Sequence, residues 1–137
     1  MLRFTLPLMA LLAGCAATPE QIASDDRRNA RDEEKLAREL AGLVPGRPTA
    51  CVNTRNLNVQ VFGDRLLYKS SNRRAYLNQT TGGCFGLRRD DIIVTQSFNA
   101  GQQCSGEIIR TVDRTSGFPS GACSFGEWIP YTRAPRG

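Results

Sequence analysis

Cysteine is the most reactive residue type in this 137-residue sequence, which has five cysteines and no histidine. Without histidine there is no Ser-His-Asp triad, no histidine-containing metal site and no imidazole acid or base near neutral pH. Four of the cysteines are separated by 32, 19 and 18 residues, so none has the C-x-x-C spacing of zinc ribbons or thioredoxin-like sites. We therefore expect neither a metal site nor a cofactor. These four are Cys51, Cys84, Cys104 and Cys123.

The fifth cysteine, Cys15, closes a pattern typical of bacterial export signals. A cation near the N-terminus is followed by an apolar run, residues 4–12, which is too short to span the ~30 Å hydrocarbon core of a bilayer as a helix. The boundary Leu12-Ala13-Gly14-Cys15 resembles the lipobox of bacterial lipoproteins, in which an apolar residue and two small residues precede the cysteine that is lipidated. An ordinary signal peptide followed by a chance cysteine is the alternative.

The lipobox resemblance implies an address for the chain. It implies a signal peptide over residues 1–14 and lipidation of Cys15, whose acyl chains would form a stable membrane anchor. In bacterial lipoproteins an aspartate after the lipidated cysteine favours retention in the inner membrane, whereas this chain has Ala16. We therefore expect a lipid-anchored protein of the cell envelope, at the periplasmic face of the outer membrane.

This address determines the expected state of the other four cysteines. Export brings their thiols into an oxidising compartment, where an even number of cysteines pairs into disulfides. Four cysteines allow three connectivities, and the sequence alone leaves all three open. We favour Cys84–Cys104, which would flank one predicted strand, together with Cys51–Cys123, which would join the first and last strands of the domain.

Carboxylates are the remaining side chains with catalytic potential, because a pair of them can act as general acid and base in a glycosidase. No G-x-S-x-G or S-x-x-K motif offers an activated serine, and no D-x-D-x-D-G pattern offers a calcium loop. Asp90-Asp91 follows Arg88-Arg89, so a local ion pair or a turn is its expected use. We therefore expect no enzyme and no catalytic residues. The carboxylates considered are Asp64, Asp90, Asp91, Glu107, Asp113 and Glu127.

Basic residues suggest a binding surface instead. Residues 1–47 carry seven cations and seven anions, whereas residues 48–137 carry eleven cations and six anions, which is the whole net charge of +5. The candidate patch consists of Arg73, Arg74, Arg88 and Arg89, and its expected partner is an envelope protein or an anionic glycolipid. Nucleic acid is not an expected partner of a periplasmic protein. Solvated basic turns that aid solubility are the alternative.

A helix is predicted over residues 25–44, after a polar tether over residues 15–24. Its composition has early carboxylates and no internal Gly or Pro before Gly42. Its first half is polar on every side, which predicts a solvated spacer, with an electrostatic partner surface as the alternative. Its last two turns carry an apolar stripe that can pack on the domain. The stripe consists of Leu36, Leu40 and Leu43.

Period-two patterns predict a β-domain over residues 49–132, followed by a flexible tail over residues 133–137. Gly63-Asp64 offers a two-residue hairpin turn. Six or seven short strands at this spacing predict a mainly β fold, a small antiparallel β-sandwich or barrel stapled by two disulfides, with one N-terminal α-helix. The predicted strands cover residues 50–52, 57–61, 65–69, 74–78, 92–95, 108–112 and 124–131.

Five short pieces of the domain, taken in order, resemble an uncharacterised family of small four-cysteine lipoproteins and exported proteins of Gram-negative bacteria. The resemblance covers residues 51–130 and implies architecture and address, because the family has no assigned activity. The pieces are Cys51-Val52, Tyr76-Leu77-Asn78, Cys84-Phe85-Gly86-Leu87, Cys104-Ser105-Gly106-Glu107 and residues 121–128.

The sequence therefore predicts a lipid-anchored protein that acts as a non-catalytic binding or interaction module of the envelope. Two alternatives remain at this point. One is a small envelope enzyme that depends on carboxylates, and the other is a purely structural envelope component without a discrete ligand.

The first testable prediction concerns the anchor. Cys15→Ser should abolish incorporation of a palmitate analogue, because a serine hydroxyl cannot form the thioether to diacylglycerol. The measurement is metabolic labelling of cells that express the parent protein or the variant. Label retained by the Cys15→Ser protein would refute lipidation at this position.

Overall fold

One helix and a series of short strands make up the described chain. A computed structural model describes residues 17–71, 73–99 and 101–135, so the predicted signal peptide, Cys15 and the last two residues of the predicted tail lie outside the described residues. The elements are α1 (Pro19–Glu39), β1 (Leu43–Pro45), β2 (Cys51–Asn53), β3 (Asn58–Phe62), β4 (Arg65–Ser71), β5 (Arg74–Thr81), a 3₁₀ helix (Phe85–Arg89), β6 (Ile92–Thr95), β7 (Gln102–Cys104), β8 (Ile108–Val112) and β9 (Pro119–Arg133).

Seven of the described strands form one antiparallel sheet. Its order is β3-β4-β5-β9-β8-β6, and β1 also pairs with β9. Strands β2 and β7 form a separate two-stranded sheet. The large sheet curls into a half-barrel. The predicted fold, mainly β and antiparallel with one helix and two disulfides, is confirmed in this form.

Burial on both faces of β4 shows how the sheet and the helix fit together. Side chains alternate along a strand, so Leu66 and Tyr68 point inside the curl with Trp128, whereas Leu67 points outward against Leu36 of α1. The inner core contains Val52, Leu66, Tyr68, Cys84, Leu87, Ile109, Cys123, Phe125 and Trp128. The helix-side core contains Leu36, Phe62, Leu67, Ala75 and Leu77.

A β-bulge in β9 allows both Phe125 and Trp128 to enter the inner core. Asn78 lies opposite Trp128 and Thr80 opposite Phe125, so β9 advances three residues while β5 advances two. The fully buried Asn78 side chain donates to the Gly126 carbonyl (2.8 Å) and accepts from the Gly126 N–H (3.1 Å). A Cβ at Gly126 would lie 2.2 Å from a backbone oxygen of β5. The bulge therefore requires both asparagine and glycine at these positions.

Several predicted strand bounds are corrected. β6 and β8 have the predicted bounds, but β1 and β7 were not predicted, because three-residue strands give no period-two signal. β9 begins at Pro119 within a predicted loop and ends at Arg133 within the predicted tail. The β-domain therefore begins at β1 and not at residue 49.

The helix is also displaced from its predicted range. It begins at Pro19, so the second half of the predicted tether is helical, and it ends at Glu39 rather than residue 44. Thr18 and Gln21 form a capping box: the Thr18 hydroxyl accepts from the Gln21 N–H (3.3 Å), and the Gln21 side-chain oxygen accepts from the Thr18 N–H (2.9 Å). Proline is well suited to the first turn because that turn needs no N–H from it. No helix in the described ranges has the length and apolar content needed to cross a membrane.

The predicted docking of the apolar stripe is confirmed. Leu36 is buried, and Leu40 and Leu43 pack half-buried against the same helix-side core. Because Leu43 belongs to β1 rather than to the helix, the stripe continues from α1 into the first strand. The apolar contacts of docking therefore involve the last turn of α1 and the residues that follow it.

The favoured disulfide connectivity is wrong. The structure pairs Cys51 with Cys104 and Cys84 with Cys123, with Cα–Cα distances of 4.0 and 5.2 Å. Cys51 lies directly opposite Cys104 in the β2–β7 pair, and the three residues of β7 carry no strand pattern that would predict this pairing. In the chain-entropy treatment, each of these long loops contributes about 4 kcal/mol to stability.

The second prediction tests helix docking. Leu36→Ala should lower the free energy of unfolding by about 2–4 kcal/mol, because it leaves a cavity in the helix-side core. Ile22→Ala is the matched control on the same helix, where the side chain is 51% exposed, and it should change stability by less than about 0.5 kcal/mol. Urea denaturation of both variants gives the comparison. Equal effects would mean that α1 is not docked.

Candidate functional site

Five of the six candidate carboxylates make separate contacts with other groups, and the six do not form one site. Asp91 is buried and pairs with Arg89 at 3.4 Å, which is the local ion pair expected from the sequence. Asp90 ends the 3₁₀ helix with a left-handed backbone (φ 59°), and its carboxylate lies 3.9 Å from the Arg114 guanidinium. Asp91 therefore acts within its own loop, whereas Asp90 connects that loop to the β8–β9 connection.

Two further carboxylates close turns. Glu107 accepts a hydrogen bond from a backbone N–H three residues before it (3.1 Å). Asp113 accepts from the Ser116 N–H (2.7 Å), the Ser116 hydroxyl (2.9 Å) and the Thr115 N–H (3.0 Å). These bonds, led by the one from the Ser116 backbone, hold the pKa of Asp113 below its ordinary value. A carboxylate stabilised in this way is suited to holding a turn.

The predicted basic patch is divided by the fold. Arg74 begins β5 and Arg73 precedes it at the β4–β5 turn, whereas Arg88 lies beside Asp64 at the opposite end of β4. The seven residues of β4 span roughly 20 Å. Arg89 is paired with its own neighbour, as described above. The four arginines therefore do not present one surface, and only Arg88 lies in a cleft against the helix.

Arg88 joins three parts of the molecule. Its Nε and Nη2 atoms donate to the two carboxylate oxygens of Asp64 at 3.3 Å each, and its Nη1 atom donates to the Asn29 side-chain oxygen on α1 at 3.2 Å. The hydrogen bond to Asp64 raises the pKa of Arg88 from its ordinary value, so the guanidinium stays charged. The polar half of α1, predicted to be a solvated spacer, is in fact attached to the β-domain here.

A second ion pair fixes the same stretch of helix. Arg65, the first residue of β4, donates to Glu33 with a shortest distance of 2.6 Å. Between this pair and Arg88 lies a polar cleft of about 290 Å³, lined also by Asp32 and Gln79. Charges of both signs alternate around it, so this cleft has no net preference for an anion.

The neighbouring cleft, on the other side of Asp32 and Arg88, is strongly basic. Its volume is about 340 Å³, and α1 contributes Arg28, Arg31 and Lys35 to its wall. These residues are spaced i, i+3 and i+7, so they share one flank of the helix. Asp32 is the single carboxylate in the lining, against four cations, of which Arg88 is also paired with Asp64 outside the lining. We call this the basic cleft.

The cations of the helix flank are not neutralised internally. The side chains of Arg28, Arg31 and Lys35 are exposed, and they make no ion pair or hydrogen bond with any residue in the ranges that the structure covers. Sequence reasoning identified Arg88 but missed these three. The available signal was their helical spacing, and what the sequence could not supply was the position of the 3₁₀ helix beside α1.

Neither a metal site nor a related protein provides further guidance. Within residues 17–71, 73–99 and 101–135, no group of three or more cysteine, aspartate or glutamate side chains could hold a metal ion. Comparison with protein-family models, curated proteins and solved structures finds no match to the chain. The family resemblance described above therefore stays an expectation.

The third prediction tests whether the Asp113 carboxylate stabilises its turn. Asp113→Ala should destabilise the protein at neutral pH. The difference should vanish as the pH falls through the native-state pKa, because a carboxylate with a lowered pKa contributes its full stability above the unfolded-state pKa and loses it between the two values. Unfolding is measured in urea at neutral pH and at about pH 2.

The control for this experiment is Glu127→Ala. The Glu127 carboxylate is exposed and makes no hydrogen bond with the described residues, so this variant should show no such pH dependence. If the loss of unfolding free energy in Asp113→Ala stays constant down to the lower pH, the proposed role of the Asp113 carboxylate is contradicted.

Proposed function

We propose that this protein is a lipid-anchored, non-catalytic binding module of the cell envelope, and that its basic cleft binds the phosphate groups of an anionic glycolipid. The observation that carries this proposal is the convergence of three unpaired helix cations and Arg88 around one cleft with a single carboxylate. Guanidinium groups bind phosphate through paired hydrogen bonds, which gives them both affinity and geometric selectivity.

The way Arg88 is held supports a binding role. Asp64 and Asn29 engage its Nε, Nη2 and Nη1 atoms, so the side chain needs little reordering when a ligand arrives. The helix cations stand on a rigid element that is itself docked through Leu36 and the ion pair of Glu33 with Arg65. A ligand would therefore meet an arrangement of charges that already exists.

The proposed anchor would place the cleft close to a membrane. α1 begins at Pro19, four residues after Cys15, and a helix rises about 1.5 Å per residue. Arg28 and Lys35 therefore lie about 14 and 24 Å along the axis from the start of the helix. Such distances suit a site that meets headgroups or saccharides projecting from the surface to which the protein is attached.

The fourth prediction compares two triple variants that have the same net charge but lose their cations at different places. The triple variant Arg28→Gln, Arg31→Gln, Lys35→Gln removes the cations of the cleft. The matched control Arg27→Gln, Arg38→Gln, Arg47→Gln removes three cations elsewhere. With about 0.5 kcal/mol for each exposed contact, the first triple should lose about tenfold in affinity, and the second should change it by less than about twofold.

The measurement is co-sedimentation of the mature, unlipidated chain with neutral vesicles that contain or lack lipopolysaccharide. The parent protein should bind only the vesicles that contain it, and added salt should weaken binding. Equal losses in the two triple variants would show that net charge alone drives binding and would overturn the basic cleft. Binding to an acidic envelope protein but not to these vesicles would overturn the assignment of a glycolipid as the ligand.

A further inference from the structure

The two edges of the curled sheet differ. At one edge α1 packs against β3, as seen in the burial of Phe62 in the helix-side core. At the other edge β6 pairs with β8 alone, and its outer backbone groups have no partner in the described part of the chain. β6 reads Ile92-Ile93-Val94-Thr95, with no charge, proline or bulge. Charge, proline and bulges are features by which natural edge strands prevent pairing with another chain, so the four residues of β6 are protected only by their short length.

An apolar surface accompanies this open edge. Ile92 and Val94 on β6 are 43% and 46% exposed, and Ile108 on β8 is 54% exposed. Phe98, in the loop that follows β6, is 82% exposed. The Ser97 hydroxyl donates to the Asn99 carbonyl (2.7 Å) in the same loop, so the backbone on either side of Phe98 is held by a hydrogen bond. Large apolar side chains that cluster on a surface in this way mark interaction sites.

A single cation lies within this surface. Arg110 on β8 is directly opposite Val94 in the pairing of β6 with β8, so the two side chains share a face. The Arg110 side chain makes no ion pair or hydrogen bond with any other described residue. Together with Val94, Phe98 and Ile108 it lines a shallow groove of about 360 Å³. The groove is therefore apolar, with one unneutralised positive charge.

We propose that β6 is the docking edge for an extended segment of a partner protein, which adds as a further strand and places an acidic side chain over Arg110. The main-chain groups of β6 would supply the hydrogen bonds of strand addition, and the apolar groove would receive alternate side chains. Neighbouring strands lie about 4.8 Å apart, so Arg110 is two strand spacings from the added chain and within reach of a glutamate. This site is separate from the basic cleft and does not depend on it.

Charge and hydrogen bonding decide between possible occupants. A second copy of the chain paired through β6 would bring two Arg110 side chains to one face. Neither β6 nor β8 carries a carboxylate to neutralise them. A lipid surface would cover the apolar groove but would leave the N–H groups of β6 without acceptors, which is costly in an apolar medium. An acidic, extended peptide satisfies both requirements.

The experiment uses the mature chain and a labelled hexapeptide of alternating valine and threonine with one central glutamate. Fluorescence anisotropy should show saturable binding, and replacing the peptide glutamate by lysine should weaken it at least tenfold. Arg110→Glu should reverse that preference. This charge exchange tests the contact itself, because the exposed position 110 is not part of the core and only the sign of each charge changes.

A matched pair of edge variants locates the peptide. Val94→Lys should abolish binding, whereas Val59→Lys, the same change at a 41%-exposed valine on the opposite edge strand, should leave it intact. Equal effects of the two variants, or no difference between the glutamate and lysine peptides, would overturn the proposal. Concentration-dependent dimerisation that Val94→Lys abolishes would assign the edge to a second copy. Binding to neutral vesicles that Val94→Lys abolishes would assign it to lipid, and either result would overturn the peptide.

Discussion

The inner core depends on one buried side-chain amide, that of Asn78. In a regular strand Phe125 and Trp128 would face opposite sides, since they are three positions apart. The extra residue that Asn78 accommodates in β9 restores both rings to the inner core, where their centroids lie 5.0 Å apart. Asn78 replaces the ladder hydrogen bonds that the bulge interrupts, so its burial costs little. The inner core and the pairing of β9 with β5 both rely on these hydrogen bonds of Asn78.

The sequence predicted those elements whose side chains alone determine them. The β-branched runs of β6 and β8 gave the observed bounds, because alternation and composition act within a few residues. β7 reads Gln102-Gln103-Cys104 and has no such pattern, so its existence follows from pairing with β2. The correct disulfide partners depend on that pairing. For this reason the number of bridges was predictable and their connectivity was not.

The candidate sites show the same limit. Arg88 was identified from a local run of basic residues, but its partners Asn29 and Asp64 are 59 and 24 residues away in the chain. The basic flank of α1 became a wall of the cleft only when the helix docked beside the 3₁₀ helix. The helix start differs from the prediction for a local reason, because a proline can end a tether or follow a capping residue such as Thr18, and Pro19 does the second.

Trp128 is the single tryptophan of the chain, and it is fully buried. Its ring packs against Phe125 and Tyr68, and its backbone exchanges two hydrogen bonds with Thr49, just before β2. This one residue thus contacts the inner core through its ring and the approach to the two-stranded sheet through its backbone. The intrinsic fluorescence of the protein is therefore a built-in optical reporter. Its emission describes the environment at a single known position, and it will respond when β9 straightens or when the segment before β2 detaches.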